Sequence, residues 1–478
     1  MLLFDMKINP NIFSASDIRG LVDKDLSPEI CEHIGRAYGT WLKNRGLSEA
    51  VVGFDCRATS KEYADSFITG LTWTGIDVIN IGLTMIGIFY WSQYYFKRKG
   101  GGFITASHNP AEYNGLKLAS DFSSNLVAEE IQEIRNITLN ESYSKGEKIG
   151  NITHQNINDA YSKDILKRFT NLKPMKVLVD PSCSTAGSIV PNILRQAGFE
   201  VIEKNCNIDS SFPLGTPDPT EIEVAKRLSK EVLESGADVG FTYDADGDRV
   251  GIVDEKGGII WNDVLVALFA SDVLVYHPGA KIMYNLLCSK TVEDTVIKNG
   301  GIPFMWRTGY PFLKKKNQEV KAAFVGELSG HFFFSADFYN HDDGIYSTLR
   351  LLSYLSVTNQ TLSQAVDALP KYISSPEIKI GCSNDLKVAL MDKISKILNK
   401  DYPQAEIIAD ERAGDGVRLN LPDGMFVIRY SQNGPYLTIK FEAKIQEKYQ
   451  DLKVYINKLL HSFPEVDWKY GVNIESLE

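Results

Sequence analysis

The chain has 478 residues, 44% of them apolar and 23% charged, and a formal net charge of −10. That length suits roughly three or four domains of ordinary size, and the acidic balance argues against a general nucleic-acid binder. No apolar run reaches the roughly 18–20 residues of a membrane span, "MLLFDMKINPN" meets Asp5 too early for a signal-peptide core, and the cysteines are scattered with no CxxC pair, so neither a zinc site nor a disulfide framework is indicated and a reduced, cytoplasmic protein is the default.

From the N-terminus, "FSASDIRG" (13–20) and "GFDCRATS" (53–60) each place an aspartate two residues before an arginine. Surface ion pairs, which are common and weak, account for both. Residues 27–46 and 60–75 read as helices closed by glycine. "AVVGFD" (50–55), "DVINIG" (77–82) and "GGFITAS" (101–107) read as strands ending in polar turns. Short apolar strands between amphipathic helices point to a mostly parallel α/β sheet. The pattern recurs in "MKVLVDPSCSTAG" (175–187) and "KIMYNLLCSKTVEDTVIKNGG" (281–301), so three similar α/β units are expected. Polar stretches near 140–158 and 205–220 read as linker or surface loop. From about residue 371 the texture changes. "DGVRLNLPDGMFVIRYSQNGPYLTIKFEAK" (415–444) reads as antiparallel strands with Pro/Gly turns, flanked by helices at 384–400 and 444–461: a smaller α+β domain.

Several loops carry chemistry. In "GGFITASHNPAEYNGLKL" (101–118) an apolar strand turns polar at Ser107, His108 and Asn109, just before Pro110. Either Asn109 is an N-cap with Pro110 at the first helical position, or the strand end presents Ser107 as a nucleophile. "TYDADGDR" (242–249) lies between two expected strands, with Asp244, Asp246 and Asp248 at alternate positions. Carboxylates so crowded repel one another unless a cation lies between them, and hard oxygen ligands suit Mg²⁺. With Glu255 at the twelfth position the spacing imitates an EF-hand, but Arg249 stands where glycine is needed and the flanks are not helical. A solvated Asp-rich turn is the other reading. In "GELSGH" (326–331), Glu327 and Ser329 share a face if the segment is extended, which suits vicinal sugar hydroxyls; a satisfied turn explains it equally. In "RYSQNGPY" (429–436), an arginine with small polar residues and glycine can wrap a phosphate, and a plain hairpin turn competes.

Taken in order, "SDIRG", "GFDCRAT", "GFITASHNPAEYNGLK", "PDPT", "TYDADGDR", "GELSGH", "DDGIYS" and "RYSQNGP" span nearly the whole chain. The set resembles the α-D-phosphohexomutase superfamily, in its phosphomannomutase/phosphoglucomutase branch, and the pair "TASHNP" and "DADGDR" is the most specific part. The resemblance implies an α/β fold of three similar mixed α/β domains plus a smaller C-terminal α+β domain around a central cleft. The implied limits are 1–154 with the phosphoserine loop, 155–256 with the metal-binding loop, 257–370 with the sugar-recognition loop, and 371–478 with the phosphate-binding loop. It implies that Ser107 carries a phosphoryl group and that Mg²⁺ is held by that group on Ser107 and by Asp244, Asp246 and Asp248. Hexose 1-phosphate and hexose 6-phosphate, of mannose or glucose, would interconvert through a hexose 1,6-bisphosphate, which also serves as activator. Arg19, His108 and Lys117 match positions lining the phosphoserine, and Arg249 would stabilise charge on the transferring phosphoryl. Glu327, Ser329 and His331 match the sugar-reading loop. Arg429, Ser431 and Asn433 match the loop that grips the other phosphate. The implied partners are small-molecule sugar phosphates, with no nucleic acid or membrane, and the implied state is monomer or homodimer.

The chain departs from the family pattern at Ser16, where tyrosine is usual, and at Phe54, where "GRDxR" has arginine. Leu287 stands where lysine is common, with Lys290 three residues on. Tyr310 replaces a histidine credited with phosphate contact or proton transfer, and "SNT" becomes "SQN" at 431–433. These changes bear on substrate reading far more than on fold. A phosphoglucosamine mutase, which more typically has glutamine where Leu328 stands, and a non-catalytic sugar-phosphate-binding relative are the competing expectations.

Overall fold

The computed structural model describes residues 8–14, 17–431 and 434–478, so Ser16, Gln432 and Asn433 lie outside the described residues. The chain divides into two compact units, Met1–Trp261 with Ser329–Ala365, and Asn262–Leu328 with Val366–Glu478.

The first unit holds two sheets. One has the strand order Ile18–Leu21, Tyr113–Asp121, Gly100–Ile104, Glu49–Phe54, Asp77–Leu83, Ile152–His154, with Ser124–Asn125 beside Tyr113–Asp121. Its middle is parallel: Glu49–Phe54 pairs with both Asp77–Leu83 and Gly100–Ile104. Tyr113–Asp121 then returns antiparallel. Gly100–Ile104 is buried along its whole length, and its glycines are a packing requirement. A Cβ on Gly102 would sit 2.5 Å from Phe67 Cε1, so the aromatic ring of the helix Ser60–Trp73 lies directly on the strand backbone. The other sheet runs Ile259–Ile260, Val250–Asp254, Val239–Tyr243, Lys176–Val179, Glu200–Glu203. Its parallel strands are covered by Ile222–Ser235, whose Leu228 and Val232 pack with Leu178 and Val253.

The second unit has parallel strands Ile302–Trp306, Lys281–Asn285 and Phe324–Gly326. It also has a seven-stranded antiparallel sheet in the order Glu406–Ile408, Gly416–Leu421, Gly424–Tyr430, Tyr436–Ala443, Ile378–Cys382, Val466–Val472, with Ile373–Ser374 beside Tyr436–Ala443. Apolar side chains of its strands, among them Phe426, Ile439 and Phe441, meet Leu390, Ile394 and Leu398 of the helix Lys387–Asp401 and Ile456 and Leu460 of Gln446–His461. The architecture is the expected mixed α/β class with a C-terminal antiparallel sheet. Among the described residues, no helix is long and apolar enough to cross a membrane.

Two local expectations differ from the structure. The stretch near 140–158 is not all linker: Ile152–His154 adds a parallel edge strand to Asp77–Leu83. Its side chains are exposed, so the strand is made by backbone pairing and leaves no alternating pattern to read. Nor does a helix start at Pro110, so Asn109 is not a cap; the chain turns and re-enters the sheet as the strand Tyr113–Asp121.

Candidate active site

Ser107 follows the buried strand Gly100–Ile104 by a short turn. It has φ +47°, the left-handed region that a residue with a Cβ rarely occupies. Its N–H donates to Thr105 Oγ1 at 2.8 Å. Its Oγ lies 2.8 Å from Asp244 Oδ2 and 3.2 Å from His108 Nδ1. The returning strand places Lys117 opposite Phe103. Lys117 Nζ then reaches Asp246 Oδ2 at 3.0 Å and Asp248 Oδ2 at 2.9 Å. Arg19, paired across the sheet with Gly115, donates to Asn109 Oδ1 at 2.6 Å and Ala106 O at 3.2 Å, and is held by Asp17.

The three-aspartate turn links Val239–Tyr243 to its antiparallel partner Val250–Asp254, with Tyr243 and Val250 paired at its base. Gly247 is required there. Its φ is +73°, and a Cβ would lie 2.2 Å from Met85 Cε. Asp244, Asp246 and Asp248 are all buried, which removes the solvated-turn reading. One carboxylate oxygen from each lies within 4.8 Å of the others. Asp246 Oδ1 and Asp248 Oδ1 are buried acceptors with no hydrogen-bond partner among the described residues. Converging anionic oxygens with unsatisfied lone pairs fit a hard divalent cation, and Ser107 Oγ is placed to join them. Arg249 offsets part of the charge, with Nε 3.2 Å from Asp244 Oδ2 and Nη1 3.3 Å from Asp218 Oδ1. Its buried Nη2 has no hydrogen-bond partner among the described residues, a donor ready for an anion.

The electrostatics follow from this crowding. Burial, then the Asp248 and Asp246 carboxylates, push Asp244 well above the usual carboxylate range. Burial also pushes Asp248 upward, but Lys117, His331 and Arg249 outweigh it and hold that carboxyl below its ordinary value. The Arg249 cation, followed by burial and Arg19, holds His108 well below the usual imidazole range, so its ring is neutral beside Ser107. His331 pairs its backbone with Arg249. Its Nδ1 lies 2.6 Å from Asp342 Oδ2 and 3.8 Å from Asp248 Oδ1. Ser329 Oγ, also in this unit, is buried with no hydrogen-bond partner among the described residues.

The second unit carries the remaining residues. Glu327 is buried and its Oε1 accepts from Gly309 N at 2.8 Å, directly before Tyr310 at the start of the helix Tyr310–Val320. Arg429 is paired across the sheet with Gly416. Its Nε and Nη2 hold the two oxygens of buried Asp415 at 2.9 and 2.5 Å. Burial works against the Arg429 cation, but Asp415, Glu377 and Glu327 outweigh it and raise its pKa. Ser431 follows, with N–H bonded to Tyr436 O. Lys387 Nζ donates to the carbonyls of Ser431 and Gly434, tying the loop's two sides together. Leu287 is buried among Leu286, Ile408, Ala413 and Val427. Lys290 Nζ lies 3.3 Å from Glu293 Oε2 on its own helix.

The sequence reading missed several partners. Asp55 and Arg57 are not a surface pair: their side chains are 0% and 1% exposed. "GFDCR" carried the signal, but spacing alone does not reveal burial. Asp342, although it opens the quoted "DDGIYS", and Asp415 reach His331 and Arg429 only through tertiary pairing, and neither partnership had a local signal.

Comparison with known proteins accords with this geometry. The family descriptions "Phosphoglucomutase/phosphomannomutase, alpha/beta/alpha domain" I, II and III match residues 10–145, 159–258 and 261–372. The chain is 36% identical over 450 residues to a phosphomannomutase/phosphoglucomutase of Pseudomonas aeruginosa, covering 94% of this chain and 95% of that protein. It is 32% identical over 466 residues to a phosphoglucomutase of Neisseria gonorrhoeae, covering 96% and 99%. A crystal structure of a phosphoglucomutase/phosphomannomutase family protein from Burkholderia thailandensis superposes with a TM-score of 0.88 at 29% identity, over 95% of this chain and 98% of that one. The chain belongs to the phosphoglucomutase/phosphomannomutase family, whose members are mutases of the isomerase class.

Proposed function

We propose that this chain interconverts hexose 1-phosphates and hexose 6-phosphates, of mannose or glucose, through a phosphoryl group carried on Ser107 and a hexose 1,6-bisphosphate intermediate. The observation that carries the reading is Ser107 itself: a buried serine in a left-handed conformation, with its Oγ 2.8 Å from the first aspartate of a three-carboxylate turn. Asp244, Asp246 and Asp248, with the phosphoryl oxygen on Ser107, would hold Mg²⁺. When bound, that ion neutralises charge and polarises the phosphoryl group.

In the forward half-reaction the bond between phosphorus and Ser107 Oγ breaks. A bond forms from phosphorus to the free sugar hydroxyl, whose proton leaves to a base while Oγ regains one. The second half-reaction reverses this from the other phosphate of the bisphosphate, regenerating the carrier. Such transfer needs positioning and charge stabilisation more than covalent elaboration. Arg249, with its unpartnered Nη2, and Lys117 supply positive charge at the phosphoryl oxygens. Arg19 and neutral His108 border the serine. Glu327, Ser329 and His331 read the sugar, and Arg429, Ser431, Asn433 and Tyr310 serve the phosphate that is not transferred. Free hexose 1,6-bisphosphate is the activator that reloads a serine that has lost its phosphoryl group.

Four domains, limited at 1–154, 155–256, 257–370 and 371–478, are supported by one main sheet to each segment, with only Ile259–Ile260 of the second sheet lying past its limit. The reading includes a cytoplasmic monomer or homodimer acting on small sugar phosphates, without nucleic acid or membrane; the net charge of −10 and the scattered cysteines support the cytoplasmic setting and the absence of nucleic acid. The test is a Mg²⁺-dependent assay primed with catalytic hexose 1,6-bisphosphate on mannose, glucose and glucosamine 1-phosphates. Turnover of mannose or glucose phosphate supports the reading. Turnover of glucosamine phosphate alone transfers the chain to the phosphoglucosamine branch, and no turnover on any of them overturns catalysis.

A further inference from the structure

We propose that Arg57 is a positioning residue of the phosphoryl transfer, holding the Ser107 loop in the strained conformation that aims Oγ at the aspartate turn. The inference rests on Ser107 being the phosphoryl carrier. Arg57 Nη2 donates to the carbonyls of Ser107 and Asn109, each at 2.6 Å, and Nη1 to those of Pro110 and Tyr113 at 2.8 and 2.9 Å. One buried guanidinium thus gathers four carbonyls of a single turn. A left-handed residue with a Cβ persists only where its surroundings over-determine it, and this set of bonds does so at φ +47°. None of the four goes to Oγ, so Arg57 acts through the backbone.

The guanidinium is itself fixed. Its Nε lies 3.3 Å from Asp55 Oδ2. Asp55 Oδ1 accepts from Arg57 N–H at 3.0 Å and from Ser60 Oγ at 2.6 Å. The Phe212 ring stands 5.2 Å from the guanidinium carbon and packs with Cys56, Ala111 and Ala245. Ala111 belongs to the serine loop and Ala245 to the aspartate turn, so one apolar contact seals both loops beside the arginine. Lysine cannot reproduce this, because a compact ammonium lacks the planar fork that serves four separated acceptors.

The test compares wild type, Arg57→Lys and Ser60→Ala. Three things are measured: kcat and KM on a hexose 1-phosphate, fold by circular dichroism, and the initial rate of Ser107 phosphorylation by glucose 1,6-bisphosphate with Mg²⁺, read by intact mass. A displacement of about 1 Å at a reacting group costs on the order of 100-fold. Arg57→Lys is therefore expected to lose roughly 30- to 100-fold in kcat, with KM within about threefold and the phosphorylation rate falling in proportion. Ser60→Ala loosens Asp55 and is expected to show the same kcat-only pattern at about 3- to 10-fold. A folded Arg57→Lys with wild-type kcat, or with KM risen as far as kcat has fallen, overturns the inference. If Arg57→Lys does not fold, Ser60→Ala decides, and an unchanged kcat overturns it. A wild-type protein that takes no phosphoryl group on Ser107 overturns the carrier reading and this inference with it. Equal phosphorylation rates in wild type and Arg57→Lys overturn this inference alone.

Discussion

Ser107 Oγ donates a 2.8 Å hydrogen bond to Asp244 Oδ2 across 137 positions of sequence. That contact joins the strand-end loop of one sheet to the carboxylate turn of another within the same compact unit. Both residues are buried. A buried carboxylate beside two others is unfavourable unless cations answer it, and the chain supplies Lys117 and Arg249 while leaving acceptors on Asp246 and Asp248 unsatisfied. The arrangement is under-compensated as it stands, and the proposed divalent ion would complete it.

Mg²⁺ is therefore expected to raise the melting temperature of the wild-type protein, because a ligand at 100 times its dissociation constant adds about 2.7 kcal/mol to the state that binds it. Asp246→Asn removes one anionic ligand and one repulsive charge. Its melting temperature without metal should be equal to or above that of wild type, its Mg²⁺-induced shift should vanish, and turnover should fall by orders of magnitude. A full Mg²⁺ shift in Asp246→Asn, followed by differential scanning fluorimetry with EDTA controls, would place the ion elsewhere.

Arg429 already spends Nε and Nη2 on Asp415, so it arrives oriented, and in the proposed reading its other N–H donors would serve the substrate. Arg429→Ala should weaken binding by roughly 2–4 kcal/mol, equally for hexose 1-phosphates and hexose 6-phosphates. Arg429→Lys should recover little, because a point charge cannot hold Asp415 and a phosphate in the same fork. Unchanged KM for both monophosphates in Arg429→Ala would show that the other phosphate is held by different residues.

Asp343 gives a stability prediction independent of metal. Its Oδ1 caps the helix Gly344–Thr358 by accepting from Ile345 and Tyr346 N–H, each at 2.9 Å, and its Oδ2 accepts from Tyr161 Oη at 2.6 Å. Burial pushes its carboxyl up to about 6. The folded state then binds the proton more tightly than the unfolded chain. The group's contribution is complete below about pH 4 and is lost as pH rises through about 6, a change of roughly 3 kcal/mol. Asp343→Asn mimics the protonated form and should gain on wild type over that window, read as the difference between their urea-unfolding curves at pH 4 and pH 7. A pH-independent difference would contradict this assignment.

Much of the candidate site's geometry was legible in sequence because its loops are local. Ser107 and the three aspartates lie in short turns between strands, where apolar runs and alternate carboxylates mark both the turn and its chemistry. The strands Glu49–Phe54 and Gly100–Ile104 announced themselves by continuous apolar character. What could not be read depends on tertiary pairing. Arg57 looked like a surface residue because only the folded turn brings the carbonyls of Ser107, Asn109, Pro110 and Tyr113 within its reach. Asp415 meets Arg429 because Gly416 pairs with Arg429 across the sheet. Ile152–His154 escaped notice because an edge strand with exposed side chains is specified by backbone pairing alone.

The central claim is that Ser107 carries the phosphoryl group, and the most direct measurement follows that group. The protein is mixed with Mg²⁺ and glucose 1,6-bisphosphate labelled in its phosphoryl groups, then digested and mapped before and after a chase with unlabelled hexose monophosphate. The account predicts label on the peptide containing Ser107, its loss to sugar during the chase, and neither label nor turnover in a folded Ser107→Ala variant. Label on a different residue, or Ser107→Ala interconverting hexose phosphates at the wild-type rate, would contradict it.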